Sequence, residues 1–315
     1  MTPPAVFTGW GSALPPTIVT NRDLEQRLDT SDAWIVERTG IQERRIGGTV
    51  ADLATEAARN ALQQAGTRPE DVDMLLLATT TPDETVPHTS SAVHHRLGLG
   101  GGAMDVNVAC AGFVYALVAA YGSLAVGARR VLVVGADCLS RITDRDDRST
   151  AVIFADGAAA VLIEATGGAD PLHGGPGLLS HDLGIDGSAH DLLYCPHGGT
   201  LTMDGREIFR RAVRATVESA TVALSRAKVA IEEIALFVPH QANLRIIEAA
   251  CTRLGIPPER TAVVLDRTGN TSAASIPLAL CDALGAGRIT DGDLVLISGF
   301  GAGMSWASAV VRWAS

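Results

Sequence analysis

Asp105-Val-Asn-Val-Ala-Cys-Ala-Gly-Phe113 is the stretch in which an apolar strand-like run meets a long apolar helix-like run. The junction puts the Cys110 thiol at or near a helix N-terminus. Unpaired backbone N–H groups and the positive end of the helix dipole favour a thiolate there. A free cysteine titrates at roughly 8.5, so such a site predicts a nucleophile usable near neutral pH. Two other segments follow or end apolar strand-like runs and offer side-chain N–H groups: Val238-Pro-His-Gln-Ala-Asn243 and Thr268-Gly-Asn-Thr-Ser-Ala273. A nucleophile with two such donors is a constellation suited to acyl transfer.

Working outward, the same order of elements occurs twice. Val72-Asp-Met-Leu-Leu-Leu-Ala-Thr79 follows a helical pattern and a short linker, and so does Ile234-Ala-Leu-Phe-Val-Pro-His240. The helix that starts near Cys110 leads to the strand Arg130-Val-Leu-Val-Val-Gly135. The helix that starts near Ser272 leads to Asp293-Leu-Val-Leu-Ile-Ser298. Identity between the halves is weak, but order and spacing repeat, which predicts an internal duplication of roughly 160 residues. Continuous apolar strands alternating with helices predict an α/β fold with buried, largely parallel sheets. Cys110 and Ser272 then occupy equivalent strand-to-helix junctions. The Gly-rich segment Gly167–Gly177 is the expected connector, giving an N-terminal half, 1–170, with the nucleophile, and a C-terminal half, 171–315, with the histidine and asparagine.

The composition limits the function classes. Apolar residues make up 47% and charged residues 19%, which suits a large buried core, and 4% aromatics leave that core to Ala, Val, Leu and Ile. A net charge of −10 opposes non-specific nucleic-acid binding. Five scattered cysteines without a CxxC pair fit a reducing, cytoplasmic compartment. The Ala-rich 108–126 stretch carries Gly112, Tyr115, Tyr121, Gly122 and Ser123 and lacks membrane flanks, so it is a buried helix rather than a span. No basic region marks the N-terminus as a signal peptide. Cys195-Pro-His197 is a poor metal pair, and no metal site is expected.

Six segments together resemble the thiolase superfamily and, within it, the β-ketoacyl-acyl carrier protein synthase III family. They are Asp32-Ala-Trp-Ile-Val-Glu-Arg-Thr-Gly-Ile41, Val108-Ala-Cys-Ala-Gly-Phe113, Phe154-Ala-Asp-Gly-Ala158, Val238-Pro-His-Gln-Ala-Asn-Leu-Arg-Ile-Ile247, Gly269-Asn-Thr-Ser-Ala-Ala-Ser275 and Gly299-Phe-Gly-Ala-Gly-Met-Ser-Trp306. Each alone is moderately specific; all six in order, over nearly the full chain, are very specific. The resemblance implies a thiolase-like five-layered α-β-α-β-α fold and a homodimer. It implies that acyl-CoA acylates Cys110, and that malonyl-acyl carrier protein then loses CO2 and condenses with the acyl-cysteine. CoA thioester is a substrate, and no cofactor is implied.

The resemblance also assigns roles. The backbone amides of Cys110 and Ala302 form an oxyanion hole, and His240 and Asn270 donate to the malonyl thioester oxygen as charge develops. Asn243 is a supporting partner, not a catalytic residue. Trp34 and Arg148 hold the CoA adenine between flat side chains. Arg38 contacts a CoA phosphate, and Ile153, Gly205 and Phe209 line the pantetheine tunnel. Phe154 walls the acyl pocket. Val86 stands where some members carry a bulky aromatic that reaches across the dimer, and the segment Tyr194–Thr200 is shorter than the family loop. Both departures predict room for branched or medium-length acyl groups.

An acidic carrier protein needs a local basic patch on this acidic chain. Arg206, Arg210 and Arg214 fall at i, i+4 and i+8 on a predicted helix, as one cationic stripe, and Arg245 and Arg253 share a face of another. In the family, basic residues matching Arg210, Arg245 and Arg253 sit beside the tunnel mouth. The runner-up function is a starter-unit condensing enzyme or acyltransferase of polyketide or other secondary metabolism. Such relatives often alter the histidine or asparagine, and both are intact here.

Overall fold

The computed structural model describes residues 2–315. Nine strands build two sheets: β1 (Ala5–Ala13), β2 (Met74–Ala78), β3 (Gly102–Val106), β4 (Arg130–Cys138), β5 (Asp156–Ala165), β6 (Gly177–Ile185), β7 (Ile234–Pro239), β8 (Leu294–Gly301) and β9 (Ser305–Arg312). The first sheet runs β1-β5-β4-β2-β3 and the second β6-β9-β8-β7. The two orders correspond. Even the missing fifth strand leaves a trace, because Thr261 forms a parallel bridge with Phe237 beside β7.

The sheets are mixed, which corrects the expectation of largely parallel ones. β2 pairs in parallel with β3 and β4, and β7 with β8, whereas β1, β5, β6 and β9 all pair antiparallel. A strand buried on both faces reads as an apolar run whichever way its neighbours point, so the run could not reveal direction.

Seven helices matter for the site: α1 (Asp32–Thr39), α2 (Val50–Ala65), α3 (Thr89–Leu97), α4 (Gly112–Ala125), α5 (Gly205–Ala227), α6 (Leu244–Leu254) and α7 (Ser275–Gly285). Side chains alternate along each strand, and the alternation sorts them into layers. Leu76, Val131 and Val133 of the first sheet and Val238, Val295 and Ile297 of the second meet Phe113, Leu117, Ile276 and Leu280 of α4 and α7 in one core. Leu75, Leu77, Leu132 and Val134 face the opposite way, onto Ala54, Ala58 and Leu62 of α2 and Val93 of α3. Phe237, Leu296 and Val310 pack on Ala220 and Leu224 of α5 and Ile247 and Cys251 of α6. The layers are therefore helix, sheet, helix pair, sheet, helix: the five-layered α-β-α-β-α fold expected from the sequence. Small residues such as Ala116, Ala120, Ala279 and Ala283 sit beside these larger ones and let the helix pair lie close between the two sheets.

The two halves match at the strand-to-helix turns, with one correction of a residue. Ala109 and Ser272 both hold positive φ, 46° and 50°. Each opens a short 3-10 turn, Ala109–Ala111 or Ser272–Ala274, that runs directly into α4 or α7. Ser272 therefore corresponds to Ala109, and Cys110 to Ala273. No helix is long and apolar enough to cross a membrane among the described residues.

Candidate active site

Cys110 sits in the Ala109–Ala111 turn, with 8% of its surface exposed. The end of β8 presses against it: a Cβ added to Gly301 would lie 2.6 Å from the Cys110 nitrogen, so only glycine lets the two backbones approach this closely. The chain then turns through Ala302–Met304, and Ser305 Oγ donates to both Ala302 O, at 3.0 Å, and Val108 O, at 3.3 Å. This hydroxyl ties the turn carrying Ala302 to the residue that precedes the Cys110 turn.

Burial pushes the Cys110 thiol up to about 12; the Ser272 side chain and Cys110's own amide pull it down, and the Asp137 carboxylate raises it. The expectation of a thiol poised near neutral pH from its place before a helix is corrected. Desolvation of the charged form is the largest influence on the thiol.

His240 lies at the end of β7, where its N–H donates to Ser298 O at 2.8 Å. It is 7% exposed, and burial pulls its ring down to about 3, so the imidazole is neutral across the physiological range. Its Nδ1 lies 2.6 Å from Ser275 Oγ.

Asn270 is held from both sides. Its N–H donates to Ile153 O, and its carbonyl accepts from Ala155 N, each at 2.9 Å. Gly269 before it has φ 66°, and an added Cβ would meet Ala155 Cβ at 2.9 Å and Arg44 Cβ at 3.0 Å. Asn270 Oδ1 accepts from Ser272 N at 2.9 Å, which fixes the side-chain amide and leaves its NH2 as the donor. The 270–275 segment thus gathers the three: Asn270 belongs to it, its Ser272–Ala274 turn lies against the Cys110 turn, and Ser275 reaches His240.

Sequence reasoning passed over Arg44. It is fully buried, donates to Asn21 Oδ1 and Val152 O, each at 2.7 Å, and is lowered to about 10 by burial. Val152 directly precedes the Ile153 carbonyl that holds Asn270, so Arg44 braces the turn that presents that carbonyl. Ser275 was quoted within a motif but given no role. Phe154 bridges to Asn270 and also borders a cavity of about 310 Å³ with Val19, Leu24, Ile46 and Ala151.

The residues expected to hold CoA come from α1, the 148–153 segment and the start of α5. Ser31 caps α1, which carries Trp34 and Arg38. Both Arg38 and Arg148 stand over the Trp34 ring, at 5.8 and 4.8 Å from its centroid. Asn243 caps α6 through a bond from Arg245 N and donates to Arg38 O, each at 2.9 Å, so its polar atoms are spent joining α6 to α1. Gly205 starts α5, and Phe209 one turn later lies 5.7 Å below the Arg245 guanidinium. Val86 projects from its loop, 82% exposed. Tyr194–Thr200 includes the loop of a small ribbon, Leu193–Tyr194 paired with Thr202–Met203.

The expected cationic stripe on α5 is corrected. Arg210 pairs with Glu207 at 2.8 Å, and Arg214 with Glu218 at 2.8 Å. Arg211 joins Glu207 and Asp186. Carboxylates three and four residues away neutralise that face. Arg206, Arg245 and Arg253 form no ion pair among the described residues.

The profile described as "3-Oxoacyl-[acyl-carrier-protein (ACP)] synthase III" matches residues 104–187, and that of its C terminal region matches residues 224–313. A protein of Erythrobacter litoralis named β-ketoacyl-[acyl-carrier-protein] synthase III is 47% identical over 321 residues, covering 98% of this chain and 99% of that one. The crystal structure of 3-oxoacyl-[acyl-carrier-protein] synthase III from Aquifex aeolicus superposes with a TM-score of 0.94 at 42% identity, over 98% of this chain and 100% of that one. The priming β-ketosynthase of the R1128 polyketide pathway superposes with a TM-score of 0.92 at 35% identity, over 99% and 97%.

Proposed function

The chain belongs to the β-ketoacyl-[acyl-carrier-protein] synthase III family, a condensing acyltransferase family of fatty-acid initiation, and from that premise we propose how its own residues divide the work. The N-terminal half, 1–170, supplies the nucleophile Cys110, and the C-terminal half, 171–315, supplies His240 and Asn270. Cys110 Sγ attacks the carbonyl of an acyl-CoA. A carbon–sulfur bond forms, the tetrahedral oxygen takes hydrogen bonds from the Cys110 and Ala302 amides, the bond to the CoA sulfur breaks, and CoA leaves as its thiol with the proton that Cys110 gives up. The amides at the start of such turns are outside the helical ladder and free for this task.

Malonyl-acyl carrier protein then enters. Its C–C bond to the carboxylate breaks, CO2 leaves, and the electron pair moves onto the thioester oxygen. N–H groups of His240 and Asn270 hold that oxygen. The enolate carbon attacks the acyl-cysteine, the same backbone amides hold the second tetrahedral oxygen, and Cys110 departs as thiolate. Loss of CO2 drives the step, so the residues present suffice and no resident cofactor takes part. The observation that carries this reading is the 270–275 segment, which contains Asn270, bonds His240 through Ser275 and lays its Ser272–Ala274 turn against the Cys110 turn.

Trp34, Arg38 and Arg148 take the nucleotide end of CoA, and Ile153, Gly205 and Phe209 line the path of its pantetheine. Arg245 and Arg253, with Arg210 and Arg214 in weaker support, dock the acidic carrier. Phe154 and Val86 bound the acyl pocket, Val86 from across a homodimer. The dimer reading is supported by the bare outer edge of β3 and the exposure of Met104 on it, since such edges are normally covered. Five free cysteines suit a reducing cytoplasmic setting.

The test is intact-protein mass spectrometry after incubation with a panel of acyl-CoAs. One acyl mass should appear on the peptide holding Cys110 and vanish in Cys110→Ala. Labelling that survives that substitution defeats the reading.

A further inference from the structure

The Ser275 hydroxyl sits in the site without touching the reacting groups, and its protons can be counted. Ser275 is the first residue of α7 and is 1% exposed. Its Oγ accepts from Gln241 N at 3.3 Å and lies 2.6 Å from His240 Nδ1. Among the described residues the hydroxyl has no other acceptor within reach.

Two arrangements are possible. If Nδ1 carried the imidazole proton, Ser275 Oγ would receive two N–H bonds, and its own O–H would be buried with nothing to accept it. Leaving such a group unmade costs about 1–3 kcal/mol. If instead the hydroxyl donates to Nδ1, the Ser275 O–H and the Gln241 N–H are both satisfied, and the remaining ring N–H is left for a reacting oxygen. The neutral ring then carries its proton on Nε2. We propose that Ser275 is a positioning residue that fixes His240 as the Nε2–H tautomer, making the ring a hydrogen-bond donor to the reacting oxygen rather than a base.

This rests on reading His240 as an enolate donor, and it adds a reason for that role. A ring locked with Nε2 protonated cannot accept the Cys110 proton through Nε2. Ser275 should therefore matter for decarboxylation and condensation and little for acylation. The arrangement also couples the donors: His240 is set by Ser275, and Asn270 is set by Ser272 three residues earlier, so one segment aims both.

The direct test is nitrogen-15 NMR of protein labelled at histidine, with His240 assigned by comparison with His240→Gln. At neutral pH, Nδ1 should show a pyridine-type shift and Nε2 a pyrrole-type shift. Ser275→Ala should mix the two tautomers. It should slow malonyl-carrier decarboxylation at least about tenfold, while acylation by acyl-CoA changes less than about twofold. Ser275→Thr, which keeps the hydroxyl, should restore both the tautomer and the rate. A protonated Nδ1 in the wild-type protein overturns the assignment whatever the variants do. So does a Ser275→Ala enzyme that condenses at the wild-type rate. Should the wild-type protein acylate but not condense, the functional reading falls, and the NMR shifts still decide the tautomer.

Discussion

The guanidinium of Arg148 lies 4.8 Å from the centroid of the Trp34 indole and donates to Asp29 O at 2.6 Å. A base between two flat groups needs two contacts of about 3.5 Å each, or about 7 Å in all. If these two side chains clamp the adenine as proposed, the clamp is closed on itself, and CoA would have to displace Arg148 from the indole before stacking. Each side chain would exchange the other for the base, and the indole, which offers the larger face, would gain the more from that exchange.

Trp34→Ala should accordingly raise KM for acyl-CoA more than Arg148→Ala does. An exposed cation–π contact contributes about 0.5–1 kcal/mol, so Arg148→Ala should cost at most about two- to fivefold. Neither change should alter KM for an acyl-pantetheine that lacks the nucleotide. Steady-state kinetics with both substrates check this, and a larger effect from Arg148→Ala contradicts the closed clamp.

Docking of the carrier should depend on the cations that lack carboxylate partners. Arg245→Glu should raise KM for malonyl-acyl carrier protein at least about tenfold, equivalent to about 1.4 kcal/mol. Arg214→Gln should change it less than about twofold, because Glu218 already balances that charge. Added salt should shrink the Arg245 effect. An unchanged KM in Arg245→Glu at low salt would remove Arg245 from the docking surface.

What the sequence disclosed and what it concealed follow from the kind of signal involved. The strands around Leu75 and Leu296 were legible because both faces are buried and the runs are continuous. Their direction was not, because an apolar run carries no mark of its neighbour's polarity. Cys110, His240 and Asn270 stood out through the motifs around them. The positive φ of Ala109 and Ser272 was hidden because neither is glycine. Glu207 and Glu218 stood in plain sight at helical spacing from the arginines, and weighing them would have dissolved the stripe on α5. Ser275 carried no signal of its own, since its meaning lies in a histidine 35 residues away.

Stability should fall as pH drops through the range set by His240. The folded ring titrates at about 3 through burial, well below the ordinary 6.5, so the unfolded chain binds the proton first. The stabilising difference is fully present above about 6.5 and is lost as pH falls from there towards 3. The slope attributable to this ring is about 1.4 kcal/mol per pH unit. Denaturant unfolding at pH 6, 5 and 4 should show wild type losing more stability per unit than His240→Gln. Parallel losses would mean that the buried ring already titrates near its ordinary value.

On the proposed function, two sets of groups serve two half-reactions. Single-turnover measurements on His240→Ala and Asn270→Ala test it most directly, following acylation by acyl-CoA and CO2 release from malonyl-acyl carrier protein separately. Acylation should stay within about threefold of wild type, because its oxyanion is held by the Cys110 and Ala302 amides. CO2 release should fall on the order of 10²–10³ for each variant. Equal loss of both half-reactions in both variants would contradict the account and make His240 and Asn270 supports of the Cys110 turn instead.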